Sequence, residues 1–207
     1  SSGAITQSGA IDADSTAGFT AGANAITLTN TSNDFSGAVS LSNSGSNDVA
    51  LIDVNALDLG TVTAGQNLTV TTGGALTDSG AITTLGLATI ISTGSNVNLG
   101  DTTAANFGSV DFSGATVSIK EGSSMELAAS EATGSLTLET TGAVTDSGTL
   151  AITGATTISA SGQSVSLTNA DSTFGDFTVN AKDVYIVESG SFSSTSITAE
   201  TVQVSAT

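Results

Sequence analysis

The chain has 207 residues, of which 38% are hydrophobic, and a formal net charge of −17. It contains no His, Cys, Pro or Trp, and its only basic side chains are Lys120 and Lys182. Without His or Cys, the usual zinc sites, thiol nucleophiles and Ser–His–Asp triads are excluded. A strongly acidic chain without arginine also repels phosphate, so we expect neither nucleic-acid binding nor attraction to anionic membranes.

One phrase occurs three times along the chain. It reads Gly-Ala-aliphatic-Thr-Gln/Asp-Ser-Gly and begins at Gly3, Gly74 and Gly142. Two other landmarks follow it in the same order: a phenylalanine after a polar loop, and a strand-like Val-x-Leu/Ile. These landmarks are Phe35, Phe107 and Phe174, and the triplets that begin at Val49, Val117 and Val184. The nearly constant spacing predicts three repeats, at residues 3–73, 74–141 and 142–207.

Short alternating runs fill each repeat. Runs such as Ile26-Thr27-Leu28 and Leu136-Thr137-Leu138 place two aliphatic side chains on one face and a small polar one on the other, which is the pattern of a half-buried strand. This periodicity argues against disorder, although the composition is rich in Ser, Thr and Gly. The best helix candidate, Ser124 to Ala132, is interpreted as a strand with a longer turn. No apolar run is long enough to cross a bilayer as a helix, so no membrane insertion is expected.

The fold class predicted from these features is all-β, as a single parallel β-helix, or β-solenoid, over residues 1–207. Asn-Gly and Asp-Gly, the strongest hairpin signals, do not occur, and the chain has too few aromatic residues for three separate β-domains. Two or three strands normally complete a turn, which predicts about nine rungs and a rod of about 40–50 Å at about 4.8 Å per rung. Because there is no initiating Met and no visible cap, we expect an internal piece of a longer repetitive chain or a processed product.

Three stretches resemble the repeats of giant filamentous-haemagglutinin-like adhesins, which two-partner secretion often exports. They are residues 33–41 (NDFSGAVSL), 55–60 (NALDLG) and 67–80 (NLTVTTGGALTDSG). The resemblance extends over essentially the whole chain. It implies a right-handed parallel β-helix that is secreted and displayed on the surface of a Gram-negative bacterium. It supplies no catalytic or binding residues, and the amino-terminal secretion domain of that family is not visible here.

The sequence offers little chemistry. The carboxylate pairs that could serve a glycoside-cleaving site are Asp12/Asp14, Asp53/Asp58, Asp171/Asp176 and Glu126/Glu131, but such a site needs two carboxylates facing each other across a cleft. Repeated serines, at Ser8, Ser79 and Ser147, are interpreted as turn residues. We predict no catalytic, cofactor-binding or metal-binding residues and no enzymatic activity. Weak structural Ca²⁺ is the one cofactor considered, because the carboxylates attract divalent cations while the known calcium-loop motifs are absent.

The function predicted is therefore mechanical. We expect the shaft of a secreted bacterial adhesin or extracellular filament, which joins like repeats end to end in one chain or between chains. Further partners would be carbohydrate or protein on a host or matrix surface. A β-helical polysaccharide-binding or polysaccharide-cleaving protein is the main alternative, and ice binding is a weaker one, because the Thr-x-Thr steps do not recur at the spacing of a rung.

Overall fold

A computed structural model of the chain describes residues 3–207 as a coil of parallel strands with about ten turns. No helix occurs in this part of the chain, and all of its strand pairs are parallel. The predicted all-β parallel solenoid is therefore confirmed, with about ten turns rather than about nine.

The strands divide among the three sequence repeats. The first repeat contains β1 (Ile5–Thr6), β2 (Asp12–Ala13), β3 (Ala17–Gly22), β4 (Ile26–Leu28), β5 (Asp34–Phe35), β6 (Val39–Asn43), β7 (Val49–Asp53), β8 (Leu57–Ala64) and β9 (Leu68–Thr72). The second contains β10 (Leu76–Asp78), β11 (Ile82–Ser92), β12 (Val97–Leu99), β13 (Asn106–Gly114), β14 (Val117–Glu121), β15 (Met125–Leu127), β16 (Ser130–Ala132) and β17 (Leu136–Thr140). The third contains β18 (Val144–Asp146), β19 (Leu150–Ile152), β20 (Thr156–Leu167), β21 (Phe177–Glu188), β22 (Ser194–Thr198) and β23 (Thr201–Ala206). The segment Ser124–Ala132 forms β15 and β16, so its interpretation as strand is confirmed.

Each turn of the coil has three faces, and equivalent side chains stack on each face. On face A the column of stacked residues is Ile5, Ile26, Val49, Leu68, Ala88 and Val110. On face B it is Leu57, Leu76, Val97, Val117, Leu136, Thr156 and Phe177. On face C the later turns stack Met125, Val144, Val165, Val184 and Val202.

The interior follows from the alternation in the sequence. In β17 the burial pattern alternates along the strand, with Leu136 and Leu138 buried and Thr137 exposed. Each aliphatic side chain lies against its equivalents one turn above and one turn below, so a narrow interior is filled without large aromatic residues. The three repeated phenylalanines, at 1%, 3% and 8% exposure, belong to this core and pack inside the coil.

Glycine occupies corners where two turns approach closely. A Cβ on Gly73 would lie 2.1 Å from the carbonyl oxygen of Val54, and one on Gly142 would lie 2.4 Å from the main-chain nitrogen of Ser124. Real Cβ atoms do not approach other atoms so closely, so only glycine allows the next turn to stack at these corners. The glycines at the junction of one repeat with the next are thus explained by stacking.

The repeat does not correspond to a whole number of turns. The first copy takes three steps up face A, from Ile5 to Leu68, and the strand that follows begins the second copy with Leu76 on face B. The second copy takes three steps up face B, from Leu76 to Leu136, and the strand that follows begins the third copy with Val144 on face C. Each copy is therefore three turns plus one face, and three copies return to the face on which they began.

Candidate functional site

The fifth position of the repeated phrase connects one turn to the next. It is occupied by Gln7, Asp78 and Asp146. A side-chain oxygen of each accepts a hydrogen bond from a main-chain N–H about one turn further along. The donors are Asn30 at 3.2 Å, Gly100 at 2.7 Å and Thr168 at 2.8 Å, respectively. Asp146 also accepts the N–H of Asn169 at 2.9 Å. The polar residue at the fifth position of the repeated phrase therefore stabilises a corner of the coil by bonding to the next turn.

The serine that follows this position lies in a bend in all three copies and is exposed. The main-chain N–H groups of Ser79 and Ser147 donate 2.8 Å hydrogen bonds to the carbonyls of Leu59 and Leu127 in the preceding turn. The interpretation of the repeated serines as turn residues is confirmed.

A second repeated feature is a carboxylate buried inside the coil. It ends the third landmark strand of each copy, and its three members are Asp53, Glu121 and Glu188, with exposures of 2%, 1% and 2%. In each copy the carboxylate lies against the main-chain N–H of the repeated phenylalanine. Those donors are Phe35 at 3.3 Å, Phe107 at 3.1 Å, and Phe174. We call this arrangement the acid–Phe clasp.

The clasp around Glu121 has the most hydrogen bonds. Its Oε2 accepts the N–H of Phe107, while its Oε1 accepts the N–H of Ser123 at 3.2 Å and the hydroxyl of Ser123 at 2.8 Å. Asp53 has a similar second donor, the N–H of Asn55 at 3.2 Å. In Glu188, by contrast, Oε2 is buried and finds no hydrogen-bond partner among residues 3–207. The clasp thus satisfies main-chain donors that would otherwise be buried without an acceptor.

Burial shifts the pKa of the clasp carboxyls. Removal from water raises the pKa of Asp53, Glu121 and Glu188 above the ordinary values, and the main-chain hydrogen bonds oppose that rise. A nearby carboxylate, Asp34, adds to the increase for Asp53. Perturbed carboxylates often mark active sites, but these three point into the packed interior and bind main-chain groups. Their arrangement supports the coil and leaves no room for a substrate.

The structure separates two of the four carboxylate pairs that the sequence offered for catalysis. Asp53 is buried, whereas its partner Asp58 is on the outward side of β8. Glu126 pairs with Thr145 on face C, whereas Glu131 pairs with Ala151 on face A.

The other two pairs lie at the surface. Asp12 and Asp14 are both exposed, on either side of the partly buried Ala13. Asp171 is exposed in a turn, while the exposed Asp176 accepts hydrogen bonds from the hydroxyls of Ser193 and Thr195. All four carboxylates therefore face solvent, and one of them also binds hydroxyls of its own chain.

One acidic groove was not found by sequence reasoning. On the outer side of face A, stacked strands form a shallow groove of about 320 Å³ lined by Asp111, Ser113, Glu131 and Ala151, among others. Burial raises the pKa of Asp111. Only the register of β13 with β16 brings the two acidic residues to one groove. Asp111 and Glu131 are separated in sequence by about one turn of the coil. Knowing the number of residues in a turn would therefore have placed them on neighbouring strands.

Acidic side chains also meet at the start of the second repeat. Burial is the main cause that raises the pKa of Asp78, and the nearby carboxylates of Asp101 and Asp58 raise it further. Within residues 3–207, however, no three Asp, Glu, His or Cys side chains are arranged as ligands for a metal ion. The same residues contain no helix that is long and apolar enough to cross a bilayer.

The fold and its repeated contacts define a β-solenoid repeat protein in which the repeated polar residues connect successive turns. Comparison with protein families identifies the particular family: the model described as repeats of unknown function (DUF5649) matches residues 1–42, 46–113 and 114–184. These segments cover most of the chain, which therefore belongs to this family. The second and third segments start at residues 46 and 114, and the interval between these starts equals the interval from Gly74 to Gly142. Comparisons with curated proteins and with solved structures gave no match.

Proposed function

We propose that this chain is the shaft of a secreted bacterial surface adhesin or extracellular filament. The observation that supports the proposal is that the repeated residues form contacts between successive turns. The phrase at Gly74, the acid–Phe clasp and the corner glycines all act between one turn and the next. Because the repeated residues stabilise the stacking of turns, the property that the repeat maintains is a long and stiff rod.

The mechanics follow from the direction of the hydrogen bonds. Main-chain hydrogen bonds between parallel strands run along the axis of the coil, and the stacked aliphatic columns keep the turns in register. Ten turns at about 4.8 Å each give a rod of about 48 Å. The net charge of −17 keeps neighbouring rods apart in solution. Many such segments in series would hold a binding tip far from the cell.

The expected location is the outside of a Gram-negative cell, because the repeats resemble those of exported adhesins. The lack of cysteine suits a chain that crosses a membrane unfolded, since no disulfide can form early and obstruct passage. Like repeats are the proposed neighbours along the axis, and carbohydrate or protein of a host or matrix surface is the proposed target at the tip.

Deleting or replacing these turns in the whole protein tests this proposal. In the cell that makes the protein, residues 3–207 are deleted, or replaced by an unrelated β-solenoid of the same length. Deletion should shorten the surface projection by about 48 Å and weaken adhesion, and the replacement should restore both. If the replacement restores length but not adhesion, the surface of these turns has a specific role and the proposal of a passive shaft is wrong.

The groove on face A favours a second candidate, a polysaccharide-binding or polysaccharide-cleaving protein. Asp111 and Glu131 line it together, and one carboxyl with a raised pKa beside another is a known arrangement for glycoside chemistry. The test measures binding and release of reducing ends from a polysaccharide panel. Loss of a signal in both Asp111→Asn and Glu131→Gln, but not in the face C control Glu126→Gln, would favour this candidate. The shaft proposal predicts no signal.

A further inference from the structure

The outward side of face C has a shallow groove that crosses the strands β20, β21 and β23. Its volume is about 250 Å³, and Tyr185, which is 36% exposed, lies on its middle strand. Tyr185 pairs with Ser166 of the preceding turn and with Gln203 of the following one. The lining also includes Thr168, Val187 and Ser205. We call this surface the Tyr185 groove.

Tyr185 departs from the pattern of the repeat. In each copy, three outward residues stack at this place on successive turns, and in the third copy they are Ser166, Tyr185 and Gln203. The corresponding residues contain no aromatic ring; they are Thr27, Ala50 and Thr69 in the first copy, and Asn98, Ser118 and Thr137 in the second. Since the coil stacks there with Ala or Ser in the other copies, stacking does not require the tyrosine. Its ring therefore serves the surface of the third copy.

The polar side chains of the Tyr185 groove are available to a ligand. Five of them carry a hydroxyl or an amide, and within residues 3–207 none of these groups forms a hydrogen bond with another protein group. Other hydroxyls on the same turns are already bonded, since Ser164 donates to Asp183 at 3.3 Å and Ser193 donates to Asp176. The groove thus combines an exposed ring with donors and acceptors that the fold itself does not use.

The chemistry of the lining indicates the class of ligand. No charged side chain lines the groove, and the net charge of −17 repels phosphate, sulfate and uronate groups. A ring with an apolar face and a polar edge matches an aromatic face beside hydroxyl and amide groups, and a sugar ring has that form. The groove is smaller than the about 300–1,000 Å³ of pockets that enclose drug-sized ligands. It therefore suits a single sugar ring, with the rest of a longer glycan in solvent.

We propose that the Tyr185 groove binds a neutral sugar, whose ring lies against the face of Tyr185 and whose hydroxyls bond to Gln203 and the neighbouring hydroxyl side chains. The inference goes beyond the shaft function, which requires no ligand on these turns. It also concerns a different surface from the groove on face A, which Asp111 and Glu131 line. Because the lining side chains point away from the axis, further turns of a longer chain would stack along the axis and leave the groove open.

The native chain itself reports on this groove. It has one Tyr and no Trp, so its tyrosine fluorescence comes from Tyr185 alone. The chain is titrated with the neutral sugars cellobiose, lactose and dextran, and with the anionic polymer polygalacturonate. At least one neutral sugar should change the fluorescence in a saturable way, and polygalacturonate should not. No response to any neutral sugar, or a response to polygalacturonate that is equal or stronger, would overturn the proposal.

Variants then locate the site, with calorimetric titration of the sugar that responds. Tyr185→Ala should weaken binding about tenfold or more, Gln203→Ala should also weaken it, and Tyr185→Phe should keep most of the affinity because the ring remains. Thr137→Ala, the matched change at the position of Gln203 in the second copy, and Asp111→Asn should bind as the native chain does. Unchanged binding by both Tyr185→Ala and Gln203→Ala, or loss of binding in Asp111→Asn alone, would refute the assignment to face C. Rod length should be the same in all of these variants, so the shaft proposal is tested separately.

Discussion

Removal of one buried carboxylate should destabilise the coil more than removal of an exposed one on the adjacent strand. Glu121 is 1% exposed and accepts the main-chain N–H groups of Phe107 and Ser123. In Glu121→Ala both donors lose their acceptor, at a cost of about 1–3 kcal/mol each. Removal of a buried carboxyl, whose pKa is raised by burial, also removes its desolvation cost and offsets part of this loss. We therefore expect a net loss of about 2–4 kcal/mol in the free energy of unfolding at pH 7.

Glu139 provides the matched control. It forms a 3.0 Å ion pair with Lys120, and both side chains are about half exposed, so Glu139→Ala should change stability by less than about 1 kcal/mol. Urea unfolding measures both variants, and amide hydrogen exchange adds a local test. In Glu121→Ala the amides of Phe107 and Ser123 should lose protection, while those of distant turns keep it. Equal stability of the two variants, or unchanged protection of these amides, would refute the clasp as a stabilising contact.

Three further predictions concern the core, the pH dependence and the corners. Leu138→Ala should cost about 2–5 kcal/mol because it leaves a cavity in a stacked column, whereas its exposed neighbour Thr137→Ala should cost less than about 0.5 kcal/mol; equal urea midpoints would contradict the stacked interior. Since burial raises the pKa of Glu188, the stability linked to it is fully present below about pH 4, the ordinary range of a carboxyl, and is lost as the pH rises through the higher folded pKa. Glu188→Gln should therefore reduce the fall in melting temperature between pH 4 and pH 7, and an unchanged pH profile would count against the assignment. Gly73→Ala, with a Cβ only 2.1 Å from a carbonyl oxygen, should lower the melting temperature clearly, whereas Gly18→Ala should leave it within about 2 °C.

Period and alternation were enough to predict the fold. The runs around Leu68 and Leu136 alternate because each strand has one side in the interior and one in solvent, and the structure buries them as expected. The predicted number of turns, about nine, was lower than the number in the structure, about ten. Strands of only three residues, such as Ser130–Ala132, complete a face of a turn, and their sequences are too short for alternation to distinguish them from loops.

The roles of the polar residues could not be read from the sequence in the same way. Asp53 and Asp58 are close in sequence and were paired as a possible acid couple, yet one is inside the coil and the other outside. The decisive fact is which main-chain N–H lies one turn away, and that depends on register. Thus the repeat spacing located Phe35 as a landmark, but no pattern in the sequence predicted its N–H as the donor to Asp53.

The mismatch between repeat and turn bears directly on function. Had the repeat been a whole number of turns, equivalent surface residues such as Thr6 and Thr77 would lie on one face and form a stripe suited to a flat ligand or a crystal surface. Instead Ile5 begins its copy on face A and Leu76 on face B, so the outward threonines beside them face different directions. A threonine column does stack on the outer side of face A, at Thr6, Thr27, Thr69 and Thr89, but Ala50 interrupts it. The regular array that ice binding needs on one side is therefore short. The mismatch is compatible with a rod that is loaded from all directions, because equivalent positions of the three copies lie on three different faces.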